Sequence, residues 1–312
     1  MKLIIQIPCY NEEKTLSQTY EDLPRRIDGI DTIEYLIIND GSEDGTVDVA
    51  RELGFHHIVT FNNNKGLARG FMAGIDACLH LGADIIVNTD ADNQYNGADI
   101  KSIVKPIIEG KADIVIGERP IGETEHFSWR KKKFQRIGSW VVRIASKTSI
   151  PDAPSGFRAY SRDAALHINV INEYTYTLET IIQAGRNKMA ITSVPISTNP
   201  DTRESHLFKS MWVYMKRSAL VIVRSFMIYN PLRFFCTIGV FLFLFGFAFV
   251  VRFLIMFFFG TSGGHIQSLV LAAALMMIGV QSVISGLQAD MIAANRKILE
   301  DIQYRIRKMD CK

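Results

Sequence analysis

The sequence predicts an α/β domain on a mostly parallel sheet, followed by two helices that cross a membrane. Three observations predict this. In the first two thirds of the 312 residues, short apolar runs alternate with amphipathic stretches, which is typical of parallel sheets. Polar motifs follow the ends of these runs, where open α/β sheets bind their ligands. Two apolar stretches then follow, each longer than the ~20 residues that cross a hydrocarbon core.

The elements of the α/β domain are predicted from its hydrophobic pattern. Short apolar runs bounded by turn residues indicate buried strands, and longer stretches with helical periodicity indicate helices. The predicted strands are Leu3–Pro8, Tyr35–Asn39, His57–Phe61, Asp84–Thr89 and Asp113–Gly117. The predicted helices are about Glu13–Ile27, Asp44–Gly54, Gly66–Leu81 and Ala98–Glu109. Because strands and helices alternate, most strands are expected to run parallel to their neighbours.

The two apolar segments of the last third, at about 234–259 and 266–289, predict membrane helices. The loop 260–265 carries no formal charge, whereas arginines and lysines flank the outer end of each segment. Because such residues stay on the cytoplasmic side, both ends and the large N-terminal domain are expected in the cytoplasm. Arg252 lies late in the first segment, where its long side chain can reach the far interface. We therefore expect a multi-pass protein of the cell membrane or an ER-type membrane.

Four regions are predicted along the chain. The cytoplasmic α/β domain takes residues 1–208, an amphipathic region 209–232, the two membrane helices 233–290, and a basic cytoplasmic C-terminal helix 291–312. In the amphipathic region, lysines and arginines alternate with aromatic and aliphatic residues, which favours a helix on an anionic membrane surface over a core helix. The net charge of +3 is too small to indicate nucleic acid, so no nucleic-acid partner is expected.

Two carboxylates one residue apart follow the fourth predicted strand and indicate a metal site. Residues 87–94 read Val-Asn-Thr-Asp-Ala-Asp-Asn-Gln. In an extended segment, residues i and i+2 point the same way, so Asp90 and Asp92 are expected to share one divalent cation, with Gln94 on the same side. Oxygen ligands favour Mg²⁺ or Mn²⁺, which keep positions open for substrate phosphates. A solvated acidic turn is the alternative for so short a pattern.

Polar turns also follow the first and second predicted strands. Residues 7–13 read Ile-Pro-Cys-Tyr-Asn-Glu-Glu, and residues 39–46 read Asn-Asp-Gly-Ser-Glu-Asp-Gly-Thr. The second segment is typical of a turn and helix cap, because glycine permits the turn and serine or aspartate caps the next helix. Asp40, at the strand end, is also placed to accept hydrogen bonds from a base or ribose. The two interpretations are compatible.

Together with three further blocks, these turns resemble the glycosyltransferases of family 2, which have the GT-A fold. The further blocks are residues 64–70 (Asn-Lys-Gly-Leu-Ala-Arg-Gly), the acidic segment 90–94, and 117–119 (Gly-Glu-Arg). More narrowly, roughly residues 3–207 are similar to the dolichyl- and polyprenyl-phosphate sugar synthases. Residues 152–158 (Asp-Ala-Pro-Ser-Gly-Phe-Arg) and 203–207 (Arg-Glu-Ser-His-Leu) carry this closer match. The resemblance implies a GT-A catalytic domain, which is Rossmann-like with a mostly parallel sheet.

The resemblance also implies roles for individual residues. The nucleotide sugar would be held by Pro8, Tyr10, Asn11, Glu12, Asp40, Lys65, Gly66, Asp90, Ala91, Asp92 and Arg203. The metal would be held by Asp90, Asp92 and Gln94, and the acceptor phosphate by Arg119, Lys132 and Arg136. Two positions depart from the family pattern: Arg136 stands where the family has a serine, and His206 stands where it has a lysine. A solvated helix face is the alternative interpretation of Lys132.

The predicted catalytic residues are Asp152, Asp92 and Arg119. Asp152 is the candidate for orienting or deprotonating the acceptor, and a loop cap before Pro154 is the alternative. Ser155 and Glu179 are assigned by the resemblance to the sugar or acceptor side.

The resemblance implies an inverting, metal-dependent sugar transfer from GDP-mannose, UDP-glucose or a similar donor to a polyprenyl or dolichyl monophosphate, at the cytoplasmic membrane face. Three alternatives are weighed against it. A membrane glycan synthase would carry a Gln-x-x-Arg-Trp segment and more spans, and a nucleotidyltransferase would open with a glycine-rich loop; the sequence has neither signature. A non-enzymatic membrane component would not need the acidic pair. Self-association through the two spans stays open beside a monomer.

Overall fold

The computed structural model describes residues 1–120, 148–170, 176–199, 230–259 and 266–311, and the isolated helical residues Arg143, Ser146, Val223, Arg224 and Met227. Three predicted site residues, Lys132, Arg136 and Arg203, lie outside the described residues. The chain divides into two compact units. The first comprises residues 1–221 and 301–312, and the second comprises residues 222–300.

A seven-stranded sheet forms the centre of the first unit. Its strands are β1 (Lys2–Cys9), β2 (Thr32–Asn39), β3 (His57–Thr60), β4 (Ile85–Asn88), β5 (Ile114–Glu118), β6 (Arg158–Ser161) and β7 (Ile191–Pro195). Their order across the sheet is β3-β2-β1-β4-β6-β5-β7. β6 runs antiparallel to its neighbours β4 and β5, and every other pair in this sheet is parallel. The expectation of a mostly parallel sheet is confirmed.

The helices of the first unit are α1 (Leu16–Asp22), α2 (Thr46–Glu52), α3 (Leu67–His80), α4 (Ile100–Ile108), α5 (Arg162–His167) and α6 (Thr177–Arg186). The first four agree with the predicted helices, with one difference. The first helix ends at Asp22, not Ile27, and Leu23 is already extended. Pro24 explains the early end, because the residue before a proline avoids the helical conformation.

Continuous aliphatic runs in β1, β2 and β4 are buried on both faces, as expected for parallel strands covered by helices. On one face, α3 lies unusually close to the sheet. A Cβ added at Gly74 would lie 2.3 Å from Oε1 of Gln6, so only glycine permits this approach. The close packing fixes the start of α3 beside the carboxyl ends of β1 and β2.

The antiparallel strand β6 brings a distant loop to the edge of the sheet that carries the polar motifs. Arg158, its first residue, lies opposite Asn88 at the end of β4 and opposite Ile116 in β5. The loop before β6 therefore enters at the carboxyl ends of β4 and β5, where Asp90 and Arg119 follow. The strand β6 has only four residues and is absent from the strands predicted from the sequence.

The second unit contains two long apolar helices, α7 (Pro231–Phe258) and the larger part of α8 (Ile266–Asp310). Their most apolar windows have mean hydropathies of 2.6 and 2.0, and most of these residues are exposed rather than packed in a core. By length and composition, each helix could cross a membrane. The predicted span 234–259 matches α7 to within a few residues, whereas the predicted span 266–289 begins with α8 but ends 21 residues before that helix does.

The two long helices pack through small residues spaced seven apart. The small residues are Gly239 and Gly246 on α7, and Ala272, Gly279 and Gly286 on α8, and all five are buried. A Cβ at Gly239 would lie 2.6 Å from the carbonyl oxygen of Gly279, and one at Gly246 would lie 2.9 Å from that of Ala272. Such close backbone contact is typical of helix pairs in membranes.

The last turns of α8 belong to the first unit. A guanidinium nitrogen of Arg307 lies 2.9 Å from Asp76 on α3, and another donates to the carbonyl oxygen of Ile168 at 2.6 Å. The Tyr304 hydroxyl bonds Asp163 on α5 at 3.0 Å. The predicted boundary between residues 290 and 291 thus falls inside one continuous helix, because the basic C-terminal segment continues the second apolar helix without a break.

Candidate active site

The polar turns after β1 and β2 are joined by reciprocal hydrogen bonds. The Asn11 amide N–H donates to the Ser42 hydroxyl at 3.0 Å, and the Glu43 amide N–H donates to Oδ1 of Asn11 at 2.9 Å. The Glu12 amide N–H donates to the Thr46 hydroxyl at 2.9 Å. Asn11 has a positive φ of 56°, which asparagine tolerates better than most residues. Two loops that are distant in sequence therefore form one rigid wall at the edge of the sheet.

Asp40 has both carboxylate oxygens engaged with the backbone that leads into α3. The amide N–H of Lys65 donates to Oδ1 at 2.7 Å, and that of Gly66 donates to Oδ2 at 2.9 Å. Asp40 is buried, and Gly66 adopts a φ of 89°. Asp40 thus orients the Lys65–Gly66 turn directly. Each oxygen keeps a second lone pair, so the predicted contact with a base or ribose stays a prediction.

The remaining predicted nucleotide residues lie around this wall. Pro8 is half-buried near the end of β1, and Tyr10 is 45% exposed on the loop that follows. Lys65 is exposed, with its ammonium nitrogen 4.5 Å from the centre of the Phe61 ring. Ala91 is buried, and its carbonyl oxygen accepts a hydrogen bond from the Thr19 hydroxyl at 2.9 Å. The described residues of the predicted set thus lie around the carboxyl ends of β1, β2 and β4, and Arg203 lies outside the described residues.

The acidic segment after β4 forms a turn, which corrects the extended geometry expected from the sequence. β4 ends at Asn88, residues 91–92 form a turn, and Asn93 has a φ of 55°. The amide N–H of Gln94 donates to Oδ1 of Asp92 at 3.2 Å. The turn arises because the chain leaves the sheet at once and reverses toward a short 3₁₀ helix, Gly97–Asp99. The two carboxylates become neighbours through this turn and not through strand alternation.

The electrostatics of the acidic pair suit a divalent cation. Burial, and then the charge of Asp92, raise the pKa of Asp90 to about 7. Within the described residues, no group of three or more His, Cys, Asp or Glu side chains is arranged to hold a metal. The pair with Gln94 therefore fits a cation that takes only a few protein ligands and completes its shell with phosphate oxygens and water, as Mg²⁺ does. A bound cation would also relieve the repulsion between the two carboxylates.

The raised pKa predicts how the metal-free protein responds to pH. The folded protein holds a proton on Asp90 up to about pH 7, whereas the unfolded chain loses it near pH 4. The stability that comes from this proton is thus lost as the pH rises toward 7 and above. We expect Asp90→Asn to raise the melting temperature at pH 8 in EDTA. Each kcal/mol gained in the free energy of unfolding corresponds to roughly 2–4 °C in a domain of this size. At pH 5 the gain should shrink.

Thermal unfolding in detergent measures this difference, and added Mg²⁺ should stabilise the wild-type protein at pH 8 more than at pH 5. An equal gain from Asp90→Asn at both pH values would contradict the prediction. The exposed Asp48, whose carboxylate contacts Arg51 at 3.4 Å on the surface, offers the matched control Asp48→Asn.

Arg119 and Asp152 form a two-pronged ion pair beside the acidic turn. Arg119 donates from Nε to Oδ2 of Asp152 at 2.8 Å, and from Nη2 to Oδ1 at 3.0 Å. Asp152 is buried and Arg119 is largely buried. Burial opposes the charge of Arg119, but Tyr95, Asp152 and Asp90 outweigh it and raise its pKa. The arginine is thus permanently charged and rigidly oriented in a partly desolvated site, which suits it to bind a phosphate.

Gly156 lies against the acidic turn and is held from three sides. Its amide N–H donates to the Tyr95 hydroxyl at 3.1 Å, and its carbonyl oxygen accepts from Nδ2 of Asn88 at 3.0 Å and from the Tyr176 hydroxyl at 3.2 Å. A Cβ at Gly156 would lie 3.2 Å from Oδ2 of Asp90. The loop before β6 therefore touches the predicted metal ligand through a residue without a side chain.

Arg158 fastens the same loop to α6. It is fully buried and donates to the carbonyl oxygens of Ala153, Ser155 and Thr177 at 2.7–2.8 Å, and to the Thr180 hydroxyl at 2.6 Å. Two sequence-predicted residues belong to the segments that it joins. Glu179 is buried in the first turn of α6. Ser155 is buried in the loop, and its hydroxyl contacts no hydrogen-bond partner among the described residues.

Four residues that hold the site together were not predicted from the sequence. Asn88, Tyr95, Tyr176 and Arg158 are all buried and bind backbone or one another. A weak signal existed for two of them, since Asn88 ends an otherwise aliphatic strand and Arg158 begins a strand of the core. Their partners are distant in sequence, so no local pattern pairs them.

The comparisons with known proteins agree with this geometry. The profile of glycosyl transferase family 2 matches residues 4–168, more than half of the chain. The chain is 31% identical over 216 residues to UDP-N-acetylglucosamine–dolichyl-phosphate N-acetylglucosaminyltransferase of Methanococcus voltae, covering 62% of this chain and 83% of the relative. It is 26% identical over 211 residues to polyprenol monophosphomannose synthase of Mycolicibacterium smegmatis, covering 63% and 77%.

Among solved structures, glucosyl-3-phosphoglycerate synthase of Mycobacterium tuberculosis, crystallised with Mn²⁺, UDP and glucosyl-3-phosphoglycerate, superposes with a TM-score of 0.56. The match covers 72% of this chain and 78% of that one at 15% identity, so it supports the fold alone. The polar turns, the acidic pair and the family match lead to one conclusion. The chain belongs to glycosyl transferase family 2 and is an enzyme that transfers a sugar.

Proposed function

We propose that this enzyme transfers a sugar from a nucleotide-sugar donor to a polyprenyl or dolichyl monophosphate at the cytoplasmic face of a membrane. One observation carries the proposal: the two-pronged ion pair with Asp152 fixes the largely buried Arg119 beside the acidic turn. The arginine is close enough to Asp90 to lower the pKa that burial and Asp92 raise. The acidic pair suits a cation on the donor diphosphate, and the arginine suits an acceptor phosphate. The donor diphosphate and the acceptor phosphate would then lie next to each other, between the acidic pair and Arg119.

On the donor side, the joined turns after β1 and β2 supply the binding wall. Tyr10 offers an exposed ring on which a base can stack, and Asp40 sets the backbone of Lys65 and Gly66. Glu12, buried beside Thr46, is a candidate for the ribose. Arg203, outside the described residues, remains the candidate for the diphosphate.

A divalent cation, when bound, would act as a Lewis acid on the leaving diphosphate. Asp90, Asp92 and Gln94 are the residues that would hold it. These residues would fix the position of the cation, because hydrogen bonds hold the turn that carries them. The carbonyl oxygen of Ala91 accepts from Thr19, and that of Gln94 accepts from Asn199. Mg²⁺ and Mn²⁺ both suit this oxygen set.

On the acceptor side, Arg119 would hold and orient the lipid phosphate. A phosphate monoester is already anionic near neutral pH, so its oxygen can attack without a strong general base. Asp152 has both oxygens bonded to Arg119, which favours the orienting role over proton removal. A single displacement from the face opposite the diphosphate would invert the anomeric carbon. Lys132 and Arg136, outside the described residues, would add to the phosphate site.

The membrane assignment rests on the two apolar helices of the second unit, whose residues are mostly exposed. A soluble core helix would be buried, so lipid is the solvent that suits these surfaces. The arginines and lysines at the outer ends of these helices, and the uncharged loop 260–265 between them, support a cytoplasmic catalytic domain. The relatives named above act on dolichyl or polyprenol carriers by name, which supports a membrane lipid as the acceptor.

The test offers radiolabelled nucleotide sugars, one at a time, to membranes that contain this protein, with polyprenyl phosphate and Mn²⁺. A labelled, acid-labile lipid that forms with one donor is the expected product. Membranes with the Asp90→Asn protein are the control and should form this lipid at least about a hundredfold more slowly. A labelled acid-stable polymer would instead indicate a membrane glycan synthase, and release of the nucleotide without any lipid product would contradict the proposed acceptor.

Gly156→Ala is expected to lower the rate of transfer about tenfold without unfolding the protein. A displacement of 1 Å at a reacting group lowers the rate about a hundredfold, and the displacement expected here is smaller. The added Cβ would lie 3.0 Å from the Tyr176 hydroxyl and 3.2 Å from Oδ2 of Asp90, so these groups must move by a few tenths of an ångström. Steady-state rates and the Mn²⁺ concentration for half-maximal rate are measured together. Gly70→Ala is the control, because its Cβ would meet only Ile38, at 3.8 Å. An unchanged rate for Gly156→Ala would contradict the prediction.

A further inference from the structure

Both apolar helices expose a few polar residues. On α7 these include Thr237 near the start of the span and Arg252 near its end, where the long side chain can reach the far interface. On α8, Gln267, Gln281 and Gln288 are exposed. They are spaced by multiples of seven residues, and Ala274 occupies the remaining position of the series. We call these four residues the amide stripe.

The amide stripe lies on the side of α8 that faces away from α7. Ala272, Gly279 and Gly286 contact α7, and each stripe residue from Ala274 onward follows one of them by two positions. At about 100° per residue, two positions place the stripe roughly 160° around the helix from the glycines. The hairpin partner α7 therefore cannot supply hydrogen bonds to the stripe.

Gln267 and Gln288 lie at the two ends of the predicted span, so the question of a hydrogen-bond partner in hydrocarbon concerns Gln281. Gln281 lies within the predicted span 266–289, about eight residues or roughly 12 Å from its cytoplasmic end. A side-chain amide loses its hydrogen bonds to water there and needs a protein partner. A seven-residue spacing is the repeat of two helices that cross at a small left-handed angle, and glutamine is among the residues that join membrane helices by hydrogen bonds.

We propose that the amide stripe of α8 is the contact surface for a second copy of this chain. The amide group both donates and accepts, so one stripe complements another of the same sequence. In a symmetric dimer whose axis runs along the membrane normal, each residue meets its equivalent at the same depth. Gln281 then bonds the partner's Gln281, with Ala274 leaving room for close approach. This inference rests on the proposed membrane location of the two helices.

Cysteine cross-linking in native membranes tests the contact. In a background with Cys236→Ala and Cys311→Ala, Gln281→Cys should form a disulfide-linked dimer of this chain on mild oxidation. Val280→Cys is the matched control, because Val280 is 49% exposed at nearly the same depth but about 100° away. Cross-linking at 281 and little at 280 supports the proposal. No dimer at 281, equal dimer at both positions, or a cross-link only to another protein overturns it.

Two further measurements separate this inference from the proposed function. Gln281→Leu should weaken self-association in detergent by about threefold to thirtyfold, and Gln281→Asn should weaken it less. Retention of the protein in membranes after an alkaline wash establishes the spans independently. A protein that stays in the membrane and forms the glycolipid without any 281 cross-link refutes only the dimer, whereas release by the wash refutes the membrane location on which both depend.

Discussion

Replacing Asp90 or Asp92 by asparagine is expected to lower the rate of sugar transfer at least about a hundredfold, the scale on which a single preorganised charge contributes to a transition state. Both substitutions keep the shape of the side chain and remove one negative charge. The cation would then bind weakly, and the charge that develops on the leaving diphosphate would lack its counter-ion. Initial rates with the nucleotide sugar that the radiolabel assay selects, over a series of Mn²⁺ concentrations, measure the effect.

The pattern across Mn²⁺ concentrations separates a metal ligand from a residue that merely supports the fold. A ligand variant should need much more metal for half its maximal rate, and Asp90→Asn should at the same time melt higher than wild type in EDTA at pH 8, since burial and Asp92 oppose the ionised form. Asp48→Asn, on the exposed face of α2, should change neither quantity. A fully active Asp90→Asn, Asp92→Asn double variant would falsify the proposed chemistry.

The second large effect is expected at Arg119 and Asp152. Arg119→Ala would remove the guanidinium group from the buried Asp152 carboxylate, a loss on the order of 3–5 kcal/mol for buried pairs, so this variant risks unfolding. Arg119→Lys is the sharper test, because lysine keeps the positive charge but cannot make the two parallel hydrogen bonds of the guanidinium group. We expect its rate at low concentrations of lipid phosphate to fall about a hundredfold, mainly through a higher KM for the lipid, with the KM for the nucleotide sugar little changed.

Asp152→Asn distinguishes an orienting residue from a general base. If Asp152 acts only by holding Arg119, then Asp152→Asn should raise the KM for the lipid phosphate as Arg119→Lys does. The double variant should be scarcely worse than either single variant, because both disrupt one interaction. The acidic side of the pH–rate profile should keep its shape. If instead that limb disappears and the two losses multiply, Asp152 removes a proton and the orienting role is wrong.

Much of the fold follows from local patterns. The first five strands are marked by aliphatic runs and the four helices between them by apolar periodicity, and both kinds of signal lie within a few consecutive residues. Pro24 shortened α1 against expectation because backbone restriction outweighed the apolar pattern. The extended geometry predicted for the acidic pair was wrong, because residues 91–92 form a turn. The turn, with Asn93 at positive φ, brings Asp90 and Asp92 together, and alternation along a strand does not.

The residues that support the site were harder to predict. β6 is too short to stand out, yet its antiparallel insertion between β4 and β5 carries Gly156 to Asp90 and Asp152 to Arg119. A lone buried arginine in the sequence gives no indication that its partners are backbone carbonyls, as they are for Arg158. The hydrogen bond between Asn88 and Tyr176 spans 88 positions of the chain.

The sequence by itself determined the alternation of strands and helices, the polar turns at the strand ends, the acidic pair and the two apolar helices, because each depends on residue types within one local segment. Only the tertiary structure decided that Asp152 pairs with Arg119, that Asp40 orients Lys65 and Gly66, and that the loop before β6 closes on the acidic turn. The physical reason is that these contacts join segments whose proximity is set by strand order and direction, which buried packing selects across the whole sheet.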